Sequence, residues 1–299
     1  MSVLPNSPAP ALDTHPELAG PQAKTRRRMS TRNRLLFMVT AWLILLMPVW
    51  FWWYTWFGRP LSDQKLVEYL HDDHKPRHIQ HALVQMGERM SRHDFAVSQW
   101  YPDAVRLASY PVDEVRNTDA WVMGQDTSGA GFHAALLKML NDPSLMVRGN
   151  AALSLVRFGD ASGRPQIVAL LQPAKVVAPE AGQVTEASPA GNNIHQGGIV
   201  AKLEVATDAR HPTELRSPIS GRFRSLSVHA GQQVQAGDLI AVIDPDTEQT
   251  WEALRGLYVV GQLDDLPAIL PYERNLPDIS EQVRQQALLT EQAIRERAK

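Results

Sequence analysis

The stretch Ala178-Pro179-Glu180-Ala181-Gly182 returns further along the chain as Ser217-Pro218-Ile219-Ser220-Gly221. A longer stretch follows each copy and is also repeated, reading AGNNIHQGGIVAKL over residues 190–203 and AGQQVQAGDLIAVI over residues 230–243. Each Pro-x-x-Gly predicts a turn in which proline presets φ and glycine is free to take a positive φ. Neither half can bury its apolar face alone, so we expect two halves related by a pseudo-dyad to enclose a small flattened barrel.

Further glycines in each copy predict further turns. Gly191 and Gly231 open the second turn, and Gly197 and Gly237 open a third turn before an apolar run suited to a buried strand. Because the glycines, the prolines and the apolar runs all recur together, the pattern indicates an internal structural repeat.

This duplicated pattern resembles the biotinyl/lipoyl-like barrel-sandwich fold, in which two half-motifs meet around an exposed hairpin. Carrier members of that family bear biotin or lipoate on a lysine at the hairpin tip. The hairpin here is residues 204–212, and the tip position falls on Ala209 or Arg210, neither of which has a nucleophilic amine. The resemblance therefore implies a lysine-free member, and we expect no bound cofactor and no metal.

The barrel-sandwich fold without a lysine also resembles the periplasmic adaptor (membrane-fusion) proteins of efflux and secretion systems. Those proteins have one N-terminal span and usually insert a long helical hairpin between the half-motifs, where this chain has only a few residues. The resemblance implies that the loops of the barrel bind protein. The candidate binding residues on these loops are Thr207, Asp208, Arg210, His211, His229 and Gln232.

A membrane span is predicted over residues 34–58. Leu35 to Phe57 contains no charged residue, and at 1.5 Å per residue it is roughly 34 Å long, enough to cross a bilayer. Basic residues precede it and few follow, so the positive-inside rule places residues 1–33, a disordered basic tail, in the cytoplasm. Residues 59–299 are then predicted to lie in the periplasm of a bacterium, anchored to its inner membrane.

Helices are predicted on both sides of the duplicated segment. Residues 132–172 resemble a HEAT-type repeat, with an Asp142-Pro143 turn, a Val147-Arg148 pair, paired alanines and Gly159 at a helix end. Asp142 is the predicted N-cap of the second helix, and Gly159 its left-handed cap. A second copy is predicted at 251–270.

The predicted fold class is therefore α+β. It has HEAT-like helices over 59–173 and 247–299, and a barrel-sandwich domain inserted at 174–246. An ordinary helical bundle is the alternative for the helices.

The sequence offers little for catalysis. The net charge of −2 gives no reason to expect nucleic acid, and the absence of cysteine removes thiolate chemistry. The His71–His81 segment is rich in histidine and aspartate, but Pro76 interrupts it, so a solvated helix surface is favoured over a metal site. The glycine-rich stretch 124–131 lacks the lysine of a phosphate loop and is predicted to join two helices. We predict no enzyme.

The leading hypothesis is a membrane-anchored periplasmic adaptor or scaffold in a transport, efflux or secretion assembly. Its expected partners are an inner-membrane transporter or another membrane-complex protein, and the lipid bilayer through residues 35–57; a homo-oligomer is left open. One alternative is a cytoplasmic-facing biotinyl/lipoyl-type carrier. Another is a structural subunit of an exopolysaccharide synthesis or export complex.

Overall fold

The first helix, α1, runs from Thr31 to Tyr54 in a computed structural model that describes residues 30–54, 60–189, 191–205 and 208–299. It starts inside the stretch predicted as a disordered tail. Among the described residues, no helix combines the length and the apolar character needed to cross a membrane, so the predicted span is not supported there. Residues 55–58 of that span lie outside the described residues.

Residues 60–299 form a unit of their own, in which helices flank a set of strands. In the described part of this unit, the helices before the strands are α2 Asp63–Leu70, α3 Pro76–Ser91, α4 Tyr101–Leu107, α5 Asp113–Met123, α6 Phe132–Met139, α7 Leu145–Arg157 and α8 Arg164–Leu170, with a 3-10 helix at Phe95–Trp100. Those after the strands are α9 Thr247–Val260, α10 Leu266–Ile269 and α11 Glu281–Arg297, with 3-10 helices at Leu263–Asp265 and Leu270–Glu273.

The helices form one stack with one apolar core. Helix α5 packs between α3 and α7, α9 packs on α7 and α8, and α11 packs on α9. The core passes without a break from Leu66 through Leu155 and Ile167 to Leu254 and Ile294. The chain therefore leaves the stack after α8 and rejoins it at α9, and the strands between form an insertion.

The strands form two four-stranded antiparallel sheets, ordered β1-β8-β6-β3 and β5-β4-β2-β7. The strands are β1 Ala174–Val177, β2 Gly182–Ala187, β3 Asn193–Ile194, β4 Ile199–Val205, β5 Asp208–Arg216, β6 Gly221–Leu226, β7 Gln233–Val234 and β8 Leu239–Pro245. Moving each strand four places along the chain converts one order into the other. The mixed α+β class is thus confirmed, and the duplication in the sequence has a counterpart in the strand order.

The two halves of the β domain complete each other through equivalent hydrogen bonds. The Ala178 N–H donates to Asp238 O (2.9 Å), and the Gly237 N–H donates to Ala178 O (2.8 Å). In the other half, the Ser217 N–H donates to Gly198 O (2.8 Å), and the Gly197 N–H donates to Ser217 O (2.8 Å). Each proline-containing segment is therefore held by a turn of the opposite half.

The turn glycines divide into two groups. Gly191, Gly197, Gly231 and Gly237 have φ between 75° and 88°, as expected for turns. The glycines of the two Pro-x-x-Gly segments, which were expected to be free to take a positive φ, do not take one. A Cβ at Gly182 would lie 2.5 Å from Glu204 O, and one at Gly221 would lie 1.8 Å from Asp244 O. Close backbone approach, and not a left-handed turn, requires glycine at these two positions.

The turn before α7, at Asp142-Pro143, also differs from its prediction. Ser144, and not Asp142, is the N-cap of α7. The Asp142 carboxylate instead accepts hydrogen bonds from Arg116 Nε (2.6 Å) and Nη2 (2.9 Å), because α5 presents that arginine to the turn. Gly159, which follows α7, has the left-handed φ that was expected (73°), whereas its counterpart Gly261 has φ −63°.

Contacts at the end of the β domain fix it against the helical stack. Leu145 and Met146 of α7 pack against the cores of both parts. Gln249 Nε2 of α9 donates to Leu170 O (2.8 Å), which ties the helix after the insertion to the helix before it. The β domain is consequently seated directly on α7.

Candidate functional site

The loop residues predicted to bind protein do not form one patch. Strand β4 ends at Val205, which pairs with Asp208 at the start of β5, so Ala209 and Arg210 lie within β5 and not at the tip. Asp208 and His211 belong to the same strand, and Thr207 lies outside the described residues. Asp208, Arg210 and His211 therefore lie on one edge strand of the sheet, whereas His229 and Gln232 precede β7 at the opposite edge.

The second predicted loop is held by its own side chain. Gln232 Oε1 accepts a hydrogen bond from the His229 N–H (3.2 Å), and Gly231 between them has a φ of 87°. The Gln232 carbonyl accepts from the Val184 N–H (2.8 Å). His229 is exposed, but Gln232 is half-buried and helps to close the turn. Gln232 thus has a structural role that its place in the sequence did not indicate.

A groove of about 620 Å³ lies across α5, α7, α9 and α11, and we call it the helical groove. Its apolar side chains are large and unusually open, since Trp121, Tyr258, Val259 and Leu289 are 43–53% exposed. Its polar lining is mostly amides, from Gln125, Asn150 and Gln286, and its charged lining is Arg157, Glu252 and Arg255. None of the candidate binding residues predicted from the sequence lines this groove.

Hydrogen bonds between successive helices fix the floor of the helical groove. From α7 to α5, Ser154 Oγ donates to Ala120 O (2.7 Å) and Asn150 Nδ2 donates to Asn117 Oδ1 (2.8 Å). From α11 to α9, Thr290 Oγ1 donates to Leu254 O (3.0 Å) in the same manner. Each of these hydrogen bonds joins a side chain of one helix to the adjacent helix. They hold the helices that line the groove in place without a bound partner.

A smaller cavity of about 240 Å³ extends the helical groove toward the β domain. It shares Asn150, Leu153 and Glu252 with the groove and reaches Ser220, at the start of β6. Its charged residues are Asp246, Glu248 and Glu252, all acidic. The charged residues of this extension are therefore all acidic, whereas the helical groove also contains Arg157 and Arg255.

A cavity of about 900 Å³ lies at the C-terminal ends of α3, α5 and α7. Asp126, in the loop between α5 and α6, accepts hydrogen bonds from Ser128 N–H (2.8 Å), Ser128 Oγ (2.6 Å) and the Tyr101 hydroxyl. Burial alone would raise the pKa of Asp126, but the Ser128 and Tyr101 hydrogen bonds lower it below its usual value. This carboxylate is an anion that holds the loop, which agrees with the prediction of a helix–helix connection.

The histidine-rich segment forms ordinary polar contacts. His78 Nδ1 lies 2.7 Å from Asp72 Oδ2, and its ring stacks on Tyr69 at 4.2 Å between centroids. His71 Nε2 lies 3.1 Å from Asp103 Oδ1. Within the described part of the chain, no three histidine or carboxylate side chains are arranged to hold a metal ion.

Sequence reasoning missed a repeat of 32 residues within the helical stack. Arg116 Nη1 donates to Tyr110 O (2.7 Å) and Pro111 O (3.0 Å), just before its own helix. Arg148 Nη1 makes the same pair of bonds, to Asp142 O (2.6 Å) and Pro143 O (2.9 Å). The detectable signal was the recurrence of Pro, Val-Arg and Ala at this spacing, at 111, 115–116 and 120 and again at 143, 147–148 and 152.

Comparisons with known proteins identify no family. No protein-family model matches the chain. No curated protein matches it either. One similar solved structure is described as a single-chain, multi-domain long-chain acyl-CoA carboxylase, with 16% identity and a TM-score of 0.23. That match covers 51% of this chain and 16% of the carboxylase chain, and so low a TM-score supports no conclusion about function.

Proposed function

We propose that this protein is a non-catalytic adaptor or scaffold that binds a partner protein in the helical groove, as a subunit of a membrane transport, efflux or secretion assembly. Stacked helical repeats expose long curved surfaces and usually act by binding other macromolecules. The one-core stack and the groove across four of its helices support this type of action.

The exposed aromatic lining of the helical groove is the observation that carries the proposal. Trp121 is 43% exposed and Tyr258 is 46% exposed, although both lie on well-packed helices. Tryptophan and tyrosine, with arginine, are the residues that most often dominate protein–protein binding energy. A rigid floor limits the ordering cost on binding, so these rings are suited to act as anchors.

The β domain supplies one end of the same surface. Its repeated strand order supports the resemblance to the lysine-free barrel-sandwich domains of adaptor proteins, and its Ser220 borders the groove extension. The rival hypothesis, a biotinyl or lipoyl carrier, needs a reactive lysine. Lys202 lies within β4, and its Nζ lies 2.6 Å from Glu186 Oε2, so this lysine is paired on the sheet and is not at the hairpin tip where carriers bear their cofactor.

Intact-mass measurement on protein purified from its native cells separates these two hypotheses. The adaptor hypothesis predicts the mass of the unmodified chain. An added biotinyl or lipoyl group on Lys202 would favour the carrier instead.

Contact with lipid is a further part of the proposal. Leu35, Leu36, Phe37 and Met38 are consecutive in α1, and each is 59–68% exposed. Four consecutive residues face all sides of a helix, so this segment exposes apolar side chains all round, and the acyl chains of a bilayer supply apolar surroundings for them. The bilayer would contact residues 35–57, with the N-terminus in the cytoplasm and residues 59–299 in the periplasm. Alkaline phosphatase fused after Lys299 is expected to be active, and an inactive, correctly expressed fusion contradicts this topology.

Site-specific photocrosslinking tests the proposed function in native membranes. A benzophenone amino acid replaces Tyr258 in the helical groove, and in a matched control it replaces Phe95, which is 88% exposed but outside the groove. We expect a covalent adduct with a membrane transport component from position 258 and none from position 95. Adducts to lipid alone, or equal protein adducts from both positions, would contradict the proposal.

A further inference from the structure

We infer that the occupant of the helical groove is an extended segment of a partner protein with its charges in a fixed order: basic residues at the end toward the β domain, and acidic and apolar residues toward the other end. This inference rests on the proposed function and specifies the chemistry of the partner. It follows from the different charges of the two parts of the groove, from the exposed apolar side chains of the wider part and from the side-chain amides that line it.

The charges of the groove are separated along its length. Arg157 and Arg255 line the wider part on the helices, whereas Asp246 and Glu248 line the extension toward the β domain. Glu252 lines both parts and accepts a hydrogen bond from Arg255 (3.1 Å). A segment lying along this groove with the complementary order would place opposite charges together at both ends, and the reverse order would place like charges together.

The wider part of the groove exposes large apolar side chains. Trp121, Tyr258 and Leu289 are exposed around it, and Gly256 lies in its floor. A Cβ at Gly256 would lie 2.8 Å from the Leu153 side chain, so α9 approaches α7 as closely as a glycine allows. This close approach fixes the floor of the groove, and the exposed Trp121, Tyr258 and Leu289 are the side chains that can contact apolar residues of the partner.

Polar groups at the groove match the backbone of an extended segment. Asn150 Nδ2 donates to Asn117 Oδ1, and Asn150 lines both parts of the groove. Together with Asn150, Gln125 and Gln286 line the wider part, and side-chain amides can exchange hydrogen bonds with the peptide groups of a bound segment. An extended chain offers peptide groups for such bonds, whereas the backbone of a helix uses most of its own internally.

The test uses full-length protein in non-ionic detergent and synthetic twelve-residue peptides labelled with fluorescein. One peptide has two aspartates at its N-terminus, a central Phe-x-Leu and two lysines at its C-terminus. A second peptide has the aspartates and lysines exchanged, because the partner segment can run in either direction along the groove. A third has the same composition with alternating charges. We expect one ordered peptide to bind at least about tenfold more tightly in fluorescence anisotropy than the alternating peptide.

Charge-reversal variants show whether the groove is responsible. Arg255→Glu and Glu248→Lys should each weaken the preferred peptide by about fivefold or more, and added salt should reduce the difference. Arg92→Glu is the matched control, since Arg92 is exposed at the end of α3 and lines neither part of the groove. Equal binding of all three peptides, or equal binding by the groove variants, would overturn the inference.

The outcomes also separate this inference from the proposed function. If position 258 crosslinks to a protein but charge order has no effect, the adaptor function stands and the ordered segment is rejected. If sedimentation shows self-association that Arg255→Glu abolishes, the occupant is a second copy of this chain, which also rejects it. If neither crosslinks nor peptide binding occur, both proposals fail.

Discussion

Asp119 is a buried acid whose surroundings do not stabilise the charged form of its carboxyl group. It lies on α5 with no solvent exposure, and neither of its oxygens accepts a hydrogen bond from the described residues. Burial raises the pKa of Asp119 well above its usual value, and Arg106 opposes this only in part. The native state therefore keeps a proton that the unfolded chain releases above about pH 4.

This buried acid predicts a pH-dependent stability. Its contribution is complete below the unfolded pKa and is lost as pH rises toward the folded pKa, with a slope of about 1.4 kcal/mol per pH unit. Asp119→Asn should remove this slope and raise the free energy of unfolding at pH 7. Urea denaturation between pH 5 and 8 measures it, with the exposed Asp264→Asn as control. An unchanged slope in Asp119→Asn would contradict the assignment.

The Arg116–Asp142 pair predicts the opposite dependence of stability on pH. The two side chains are only 10% and 7% exposed, and their closest approach is 2.6 Å. Burial alone would raise the pKa of Asp142, but the bonds from Arg116 and Ser144 lower it, so this contribution is lost as pH falls through the folded pKa.

Removing one partner leaves the other charge buried. Arg116→Met should cost about 3–5 kcal/mol of unfolding free energy, whereas the double variant Arg116→Met, Asp142→Leu should cost less than the single change. Urea denaturation at pH 7 measures both. A double variant less stable than Arg116→Met would show that the pair is not the cause.

The β-domain turns show what can be predicted from sequence at the scale of elements. Gly197 and Gly237 were predictable, because a positive φ depends on the local backbone and few residue types adopt it. Gly182 and Gly221 were misread, because the strand that crowds each one is distant in sequence. Asp142 was misread for the same reason, since Arg116 belongs to an earlier repeat that local reasoning did not align with it.

The two kinds of glycine should respond differently to alanine. At Gly221 a Cβ would lie 1.8 Å from Asp244 O, so β6 and β8 must separate. At Gly191 a Cβ meets nothing within 4 Å, and the cost is only that of φ 82°, about 1–2 kcal/mol. Gly221→Ala should therefore lower the unfolding midpoint far more than Gly191→Ala. Equal midpoints in thermal denaturation would contradict the strand pairing proposed to cause the clash.

At the scale of the whole molecule, the α+β class was predictable because two periodicities, helical and strand-like, occupy separate stretches. The helical groove was not, because its lining comes from four helices on both sides of the inserted strands. Trp121 and Tyr258 face the same groove, yet nothing in their local sequence relates them. Such a surface depends on how the chain rejoins the stack after residue 245, which only the packing of α9 on α7 and α8 defines.

Because α9 packs back on α7 and α8 after the insertion, we predict that the β domain can be removed without unfolding the helices. Leu170 and Gln249 are joined by a 2.8 Å hydrogen bond, so the two ends of the insertion lie close together. Replacing residues 174–245 with about six glycine and serine residues, which span roughly 13 Å, should close the gap. Asp246 is retained because its Oδ1 caps α9 by accepting from the Gln249 N–H (2.8 Å).

The helical core from Leu66 to Ile294 contains no residue of the β domain, so the excised protein should keep its helical circular dichroism and unfold cooperatively. Its stability should fall modestly, because Leu145 and Met146 lose their contacts with the β core. The matched control deletes α8 as well, which removes Ile167 and Leu170 from the helical core and should abolish cooperative unfolding. If the chain without the β domain unfolds non-cooperatively, the strands are an integral part of the helical stack. The helical groove would then depend on the whole unit, and its acidic extension could not be removed without disturbing the rest of the groove.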